Sequence, residues 1–285
     1  MFQLKEHMEF SEACFERDKS PENRDMALCV DFSSLPSPYG KGFVRVVMDG
    51  VTKADGAEAV EIAARTLLRD LCGRLTAESR SLALELAERL RNGGADEDIR
   101  EWLAGIFHRI IQEALVKADE ALLGSEYPKP FCTVSVAVVF YRYIFTANLG
   151  DSPIYLLDLN AAEKNLTPLF ECHNMAGKAM AAGQMTEEEM LVSPKANLLN
   201  KFLGNWKDRW GSRASYMVRE LPQSGILLLG SDGALGQLLC RDMAGLIDVC
   251  REDGLEAVRQ ELEELVGASG SVDDFTITMD WIESD

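Results

Sequence analysis

The chain has 285 residues, 47% of them hydrophobic and 27% charged, an ordinary globular composition with length for one large domain or two small ones. Acids outnumber bases 47 to 29, for a formal charge of -18, which argues against nucleic acid and anionic membranes as partners because both repel a net anion. The longest apolar run, Val134–Phe140, is strand-sized and well short of the roughly 18 residues of a membrane span, and Met1–His7 lacks the profile of a signal peptide, so a soluble, cytoplasmic protein is expected.

Residues 1–50 read as β-rich. Met26–Phe32 is an expected strand, Ser33–Gly42 a Pro/Gly/Ser turn region, and Phe43–Met48 a second strand pairing with the first. Helices follow. Ala57–Leu71 carries apolar residues at Val60, Ala63, Ala64, Leu67, Leu68 and Leu71, and Ser81–Leu90 forms a shorter helix broken by Asn92-Gly93-Gly94. Asp96–Leu122 is a long amphipathic helix ended by Gly124 and Pro128. Phe131–Tyr141 and Tyr143–Asn148 form a hairpin, and Pro153–Leu157 is expected to continue its sheet. Glu171–Arg213 is polar, with helical pieces at Thr186–Leu191 and Ala196–Leu203. Strands at Ser215–Glu220 and Gly225–Gly230, helices at Arg241–Cys250 and Leu255–Val266, and a last strand at Asp273–Trp281 complete the chain. Strands in adjacent pairs indicate an α+β fold with antiparallel sheets, in one domain over 1–285. Seven cysteines without a C-x-x-C pair suit reduced, buried thiols better than disulfides or zinc.

Three apolar runs meet an aspartate at one end. Phe43–Met48 ends in Asp49-Gly50, Ile226–Ser231 ends in Asp232-Gly233, and Asp273-Asp274 opens Phe275–Met279. Acids at strand tips sit on the rim of a sheet, and several on one rim repel each other unless a cation lies between them. Each Asp-Gly taken alone is an ordinary turn.

A fourth segment, Ala147-Asn148-Leu149-Gly150-Asp151-Ser152-Pro153, completes an ordered set. With Cys132-Thr133, Gly183–Glu189, Asn197–Gly204, Leu228–Gly233 and Asp273–Thr276, the chain resembles the metal-dependent protein phosphatases of the 2C type, over nearly its whole length. The resemblance implies a four-layer αββα sandwich: two antiparallel β-sheets flanked by helices on both faces. It also implies two Mn²⁺ or Mg²⁺ ions at one end, with a weaker third. Asp49 would bridge the metals, the Gly50 carbonyl would bind one, and Asp232 and Asp273 the other. Asp151 with Asp232 would match the third site, and Asp25 the acid that holds a water carried by a metal. The substrate implied is a phosphoserine or phosphothreonine protein. Carboxylate and carbonyl oxygens are hard ligands suited to these ions, which activate water near neutral pH.

The substrate side departs from the family pattern. Val51–Ala57 replaces a Gly-rich turn that often contains histidine, Pro153 replaces an arginine, and Arg17, Lys19 and Arg24 all miss the register of the phosphate-binding arginine. His173 is a candidate for the rim of the site, and His108 reads as a packed or surface residue of the long helix. The stretch near 174–213 would match a flap, where Trp206, Lys207, Arg209, Trp210 and Arg213 could dock a phosphopeptide. The alternative function is a catalytically weak or inactive phosphatase-like binding module, which the altered turn motivates.

Overall fold

The computed structural model describes residues 2–12, 23–33, 41–162, 166–205, 213–271 and 273–284. Two five-stranded antiparallel sheets face each other. One has the order β2 (Asp25–Ser33), β3 (Lys41–Asp49), β4 (Val134–Phe140), β5 (Tyr143–Leu149) and β8 (Ser215–Glu220). The other has the order β1 (Phe2–Glu12), β10 (Phe275–Ser284), β9 (Ser224–Gly230), β6 (Ile154–Asp158) and β7 (Leu166–Pro168). The long helices α1 (Gly56–Arg91) and α2 (Asp96–Leu123) cover the first sheet. Short helices α3 (Met175–Ala181) and α4 (Glu187–Leu191) follow β7. Helices α5 (Cys240–Met243), α6 (Leu246–Asp253) and α7 (Leu255–Ser269) cover the second sheet.

Strand alternation builds the layers. On β3, Val44, Val46 and Met48 pack under α1 and α2, while Phe43 and Val47 point between the sheets. Leu227 and Leu229 of β9 meet them there, while Ile226 and Leu228 turn outward to the other helices. Both faces of both sheets are therefore covered, which is why Val134–Phe140 is buried at every position.

Several elements differ from expectation. α1 is one helix and not two, because its only internal glycine, Gly73, lies in open space, and Leu75, Ser79 and Leu82 carry the buried stripe through. Ala196–Leu203 is not helical. Its backbone is drawn to neighbouring chain instead, with Leu198 O accepting from Met175 N at 3.0 Å, Asn200 N donating to His173 O at 2.9 Å and Leu203 N to Cys132 O at 2.9 Å. Arg241–Cys250 is two short helices separated at Ala244-Gly245. β6 does not continue the β4–β5 hairpin's sheet. Gly150 takes φ +112°, Pro153 has no N–H to offer a ladder, and the chain crosses to the opposite sheet.

Candidate active site

The crossover at Gly150 places the site. Antiparallel order brings the start of β2, the end of β3, the β5–β6 crossover, the end of β9 and the start of β10 to one end of the sandwich. Asp25 and Asp49 are register partners across β2 and β3. Asp49 hands its backbone carbonyl to Thr133 N at 2.8 Å, and Thr133 Oγ1 meets Ser152 Oγ at 2.7 Å, so the β3 tip and the crossover are tied together. A Cβ on Gly150 would fall 2.4 Å from that of Thr133, so no side chain fits there.

The carboxyls are packed close enough to disturb one another. Burial, with the nearby Asp232 and Asp25 charges, holds the Asp49 carboxyl well above the usual carboxylate range, and it shares a hydrogen bond with Asp232. Asp25 is pushed up to about 8, first by burial and then by the Asp232 and Asp274 charges, against a hydrogen bond from Ser231 that favours ionisation. Asp151 is pushed up to about 7 by burial and the Asp232 charge, although Asn174 Nδ2 donates to it at 2.8 Å. Among the described residues, Asp25 Oδ2 and Asp232 Oδ1 are buried with no hydrogen-bond partner. Buried oxygens of this kind are normally satisfied. A cluster of hard oxygen donors that cannot all ionise together, with orphaned atoms, fits a divalent cation of the Mg²⁺ or Mn²⁺ type.

Asp25, Asp49, Asp151 and Asp232 thus act on one another directly. Asp273 stands beside them at the Asp232–Gly233 turn, where a Cβ on Gly233 would lie 2.8 Å from its own. Its neighbour Asp274, which the motif reading passed over, is buried and is the one that presses on Asp25. Asp274 Oδ2 accepts from both the backbone N and the Nε of Arg24, each at 3.2 Å. Arg24 is therefore an ion-pair partner inside the rim and not a solvated charge. The doubled aspartate at 273–274 carried that signal, but spacing alone does not say which of the two faces inward.

The turn after Asp49 is firmly held despite its unusual sequence. Val51 N donates to Phe131 O at 3.1 Å, Asp55 N donates to Lys129 O at 2.9 Å, and Asp55 Oδ2 accepts from Lys129 N at 2.9 Å. Gly50 and Gly56 are in contact, since a Cβ on either would meet the other's backbone at 2.6 Å.

His173 lies behind the site and not on its rim. It is buried, and its Nδ1 accepts from Gly150 N at 3.2 Å, which leaves the proton on Nε2 for Ser215 Oγ at 2.8 Å. Burial, then Lys201 with its Nζ 3.1 Å from Nε2, brings the ring down to about 4. The ring is a neutral prop for the Gly150–Asp151 turn. His108 packs against Tyr216 and bonds Met217 O at 3.2 Å, as its place in the helix suggested. Arg17, Lys19, Trp206, Lys207, Arg209 and Trp210 lie outside the described residues. A cleft opens from Asp151 and Asp232 between Tyr155, Phe170, Asn174 and Met190.

Solved structures share the overall fold. The serine/threonine phosphatase Stp1 from Staphylococcus aureus superposes with a TM-score of 0.71 at 21% identity, covering 99% of this chain and 96% of that one. The chain has the fold of the metal-dependent protein phosphatases. The catalytic domain of the serine threonine protein phosphatase PstP, in complex with two manganese ions, gives a TM-score of 0.62 at 14% identity with 100% of both chains covered. By sequence, a Streptococcus pyogenes protein named "Putative protein phosphatase 2C-type" is 24% identical over 187 residues, 66% of this chain and 71% of that protein. No family model matches the chain. Among the described residues, no helix is long and apolar enough to cross a membrane.

Proposed function

We propose that the chain is a metal-dependent protein phosphatase that hydrolyses phosphoserine or phosphothreonine. The observation that carries this reading is the four-carboxyl cluster with its unpartnered Asp25 Oδ2 and Asp232 Oδ1. Asp49, the Gly50 carbonyl, Asp232 and Asp273 would hold two divalent ions, Mn²⁺ or Mg²⁺, with Asp151 and Asp232 offering a third position. When bound, such ions lower the pKa of water and offset the charge of a phosphate ester.

The chain's own residues supply the rest. Asp25, at the site's edge with one oxygen unpartnered, orients the attacking water and can take its proton. Asn174 fixes Asp151, and Thr133 with Ser152 fixes the loop that carries it. With His173 turned away and neutral, no described imidazole stands at the cluster, and the leaving oxygen takes its proton from solvent. Asn174, Glu187, Met190 and Asn197 form one wall of the cleft, and the segment near 174–213 would serve as the flap of a single domain over 1–285. We read the protein as cytoplasmic, and the charge of -18 favours other proteins over nucleic acid as what it acts on.

The test is hydrolysis of p-nitrophenyl phosphate and of a phosphothreonine peptide by protein stripped of metal and resupplied with Mn²⁺ or Mg²⁺. Asp49→Asn and Asp232→Asn should abolish turnover. Wild-type protein that hydrolyses neither substrate with any divalent metal would sink the enzyme reading. The rival binding module rested on the altered Val51–Gly56 turn, and the likeness to serine/threonine phosphatases favours the enzyme over it.

A further inference from the structure

A second cluster of ligand side chains lies away from the carboxyls, at the lateral opening between the two sheets. β1 is the edge strand of one sheet and β2 the edge strand of the other. His7 and Glu9 stand on one face of β1, and Cys29 stands on β2 opposite Arg45. A ring nitrogen of His7, a carboxylate oxygen of Glu9 and the Cys29 Sγ all lie within 4.8 Å of one another. Cys29 Sγ–H donates to Glu9 Oε2 at 3.2 Å. Cys29 is four residues along β2 from Asp25, or about 13 Å at the rise of a strand.

What lies behind the cluster makes it more than a chance meeting. Asp280 is fully buried, and its Oδ1 meets His7 Nδ1 at 2.9 Å. That contact fixes the ring and engages Nδ1, not Nε2, in the carboxylate–histidine pairing that orients metal-binding imidazoles. Asp280 is held in turn by Arg45, through Nε at 3.0 Å and Nη2 at 2.8 Å, while Arg45 Nη1 reaches Asp31 at 2.9 Å. The arginine's charge is thus more than matched by two carboxylates, and the opening remains net negative once Glu9 is counted.

We propose that His7, Glu9 and Cys29 form a second metal site, for Zn²⁺, that ties the edge of one sheet to the edge of the other. One nitrogen, one oxygen and one sulfur suit a borderline-soft ion and not the Mg²⁺ or Mn²⁺ preferred by an all-oxygen cluster. Three protein ligands leave a fourth position for water. Without a cation the site holds a thiol–carboxylate hydrogen bond, Cys29 Sγ–H to Glu9 Oε2. Binding then breaks the S–H bond, forms the metal–sulfur bond and releases one proton to solvent. The residues are close in space but come from strands some twenty positions apart in sequence, which is why cysteine spacing alone argues against zinc.

Metal-stripped full chain titrated with Co²⁺, a spectroscopic substitute for Zn²⁺, tests this. Expected is a thiolate-to-cobalt charge-transfer band that saturates at one equivalent, is displaced by Zn²⁺, and disappears in Cys29→Ser. Glu9→Gln, at an exposed position, should fold normally and weaken Co²⁺ binding by roughly tenfold or more. Its Mn²⁺-dependent phosphatase rate should stay at the wild-type level. The melting temperature of wild-type protein should rise with stoichiometric Zn²⁺, and that of Glu9→Gln should not. No band at stoichiometric Co²⁺ overturns the proposal. So does a band that survives Cys29→Ser, which would place the cation at Cys132 or Cys172 beside the carboxyl cluster.

Discussion

Neutralising Asp25 should stabilise the metal-free protein while destroying its activity. In the fold, this carboxyl is pushed from 3.8 to about 8 by burial and by the Asp232 and Asp274 charges. An acid raised in this way binds its proton more tightly folded than unfolded. Stability is therefore lost as pH rises through the window from about 4 to about 8, and the penalty is complete above it. At ~1.4 kcal/mol per pH unit the ceiling is about 6 kcal/mol. The protons are shared among coupled carboxyls and water enters the cleft, so we expect Asp25→Asn to recover about 2 kcal/mol at pH 8. For a chain of this length that is an upward shift of roughly 3 °C in melting temperature. The assay is thermal denaturation in chelator, wild type against variant, at pH 8 and again near pH 5. The gain should shrink at the lower pH, where wild-type Asp25 is already protonated. With Mn²⁺ present, the wild type should gain more than the variant. An Asp25→Asn protein that melts below wild type in chelator at pH 8 refutes the account of the cluster as mutually repelling.

Gly150→Ala should cost about 3 kcal/mol by urea denaturation, because φ of +112° and the 2.4 Å approach to Thr133 both oppose a methyl group. It should also lower Mn²⁺-dependent turnover by displacing Asp151. Asp280→Asn should cost about 3 kcal/mol in the same assay, since it strips charge from the buried partner of Arg45, and exposed Asp31 cannot replace it. His173→Gln should leave the pH–rate profile near neutrality unchanged, as the ring held down to about 4 is neutral throughout. The folded ring refuses a proton that the unfolded chain accepts, so this residue makes the wild type lose stability as pH falls from about 6.5 toward 4, and the variant should lose less there.

The antiparallel α+β class was legible because the strands alternate or run fully apolar and the longest helices carry a clean stripe, while the sandwich came from the family resemblance. Asp49 and Asp232 were legible as candidates because each ends a strand with a glycine beside it, and Asp151 came from the family resemblance. The misreadings have two causes. Ala196–Leu203 has good helix formers, yet His173, Met175 and Cys132 capture its backbone. Pro153–Leu157 reads as the next strand of a hairpin, yet the φ of Gly150 sends it to the other sheet. Arg24 and Asp274 are some 250 positions apart, and nothing local announces their pairing. Contacts of long sequence separation decide the first and third, and the backbone of Gly150 decides the second; a single chain's periodicity encodes none of these.

β3 shows how one strand face serves two ends. Arg45, Val47 and Asp49 all point into the space between the sheets. Val47 is part of the apolar filling. Arg45, 1% exposed, brings a charge into the same layer and finds it answered within the fold by Asp280 at 2.8 Å. Asp49, two pleats away, meets further acids in place of a base. A buried ion pair and a buried like-charge cluster cost comparable desolvation, but only the first is compensated by the polypeptide. The second must be compensated from outside the chain, by protons in the bare protein and by cations when they are supplied. On this argument the instability localised at Asp25, Asp49 and Asp232 is itself the binding energy for metal. Each variant that relieves it in chelator should lose metal affinity in proportion.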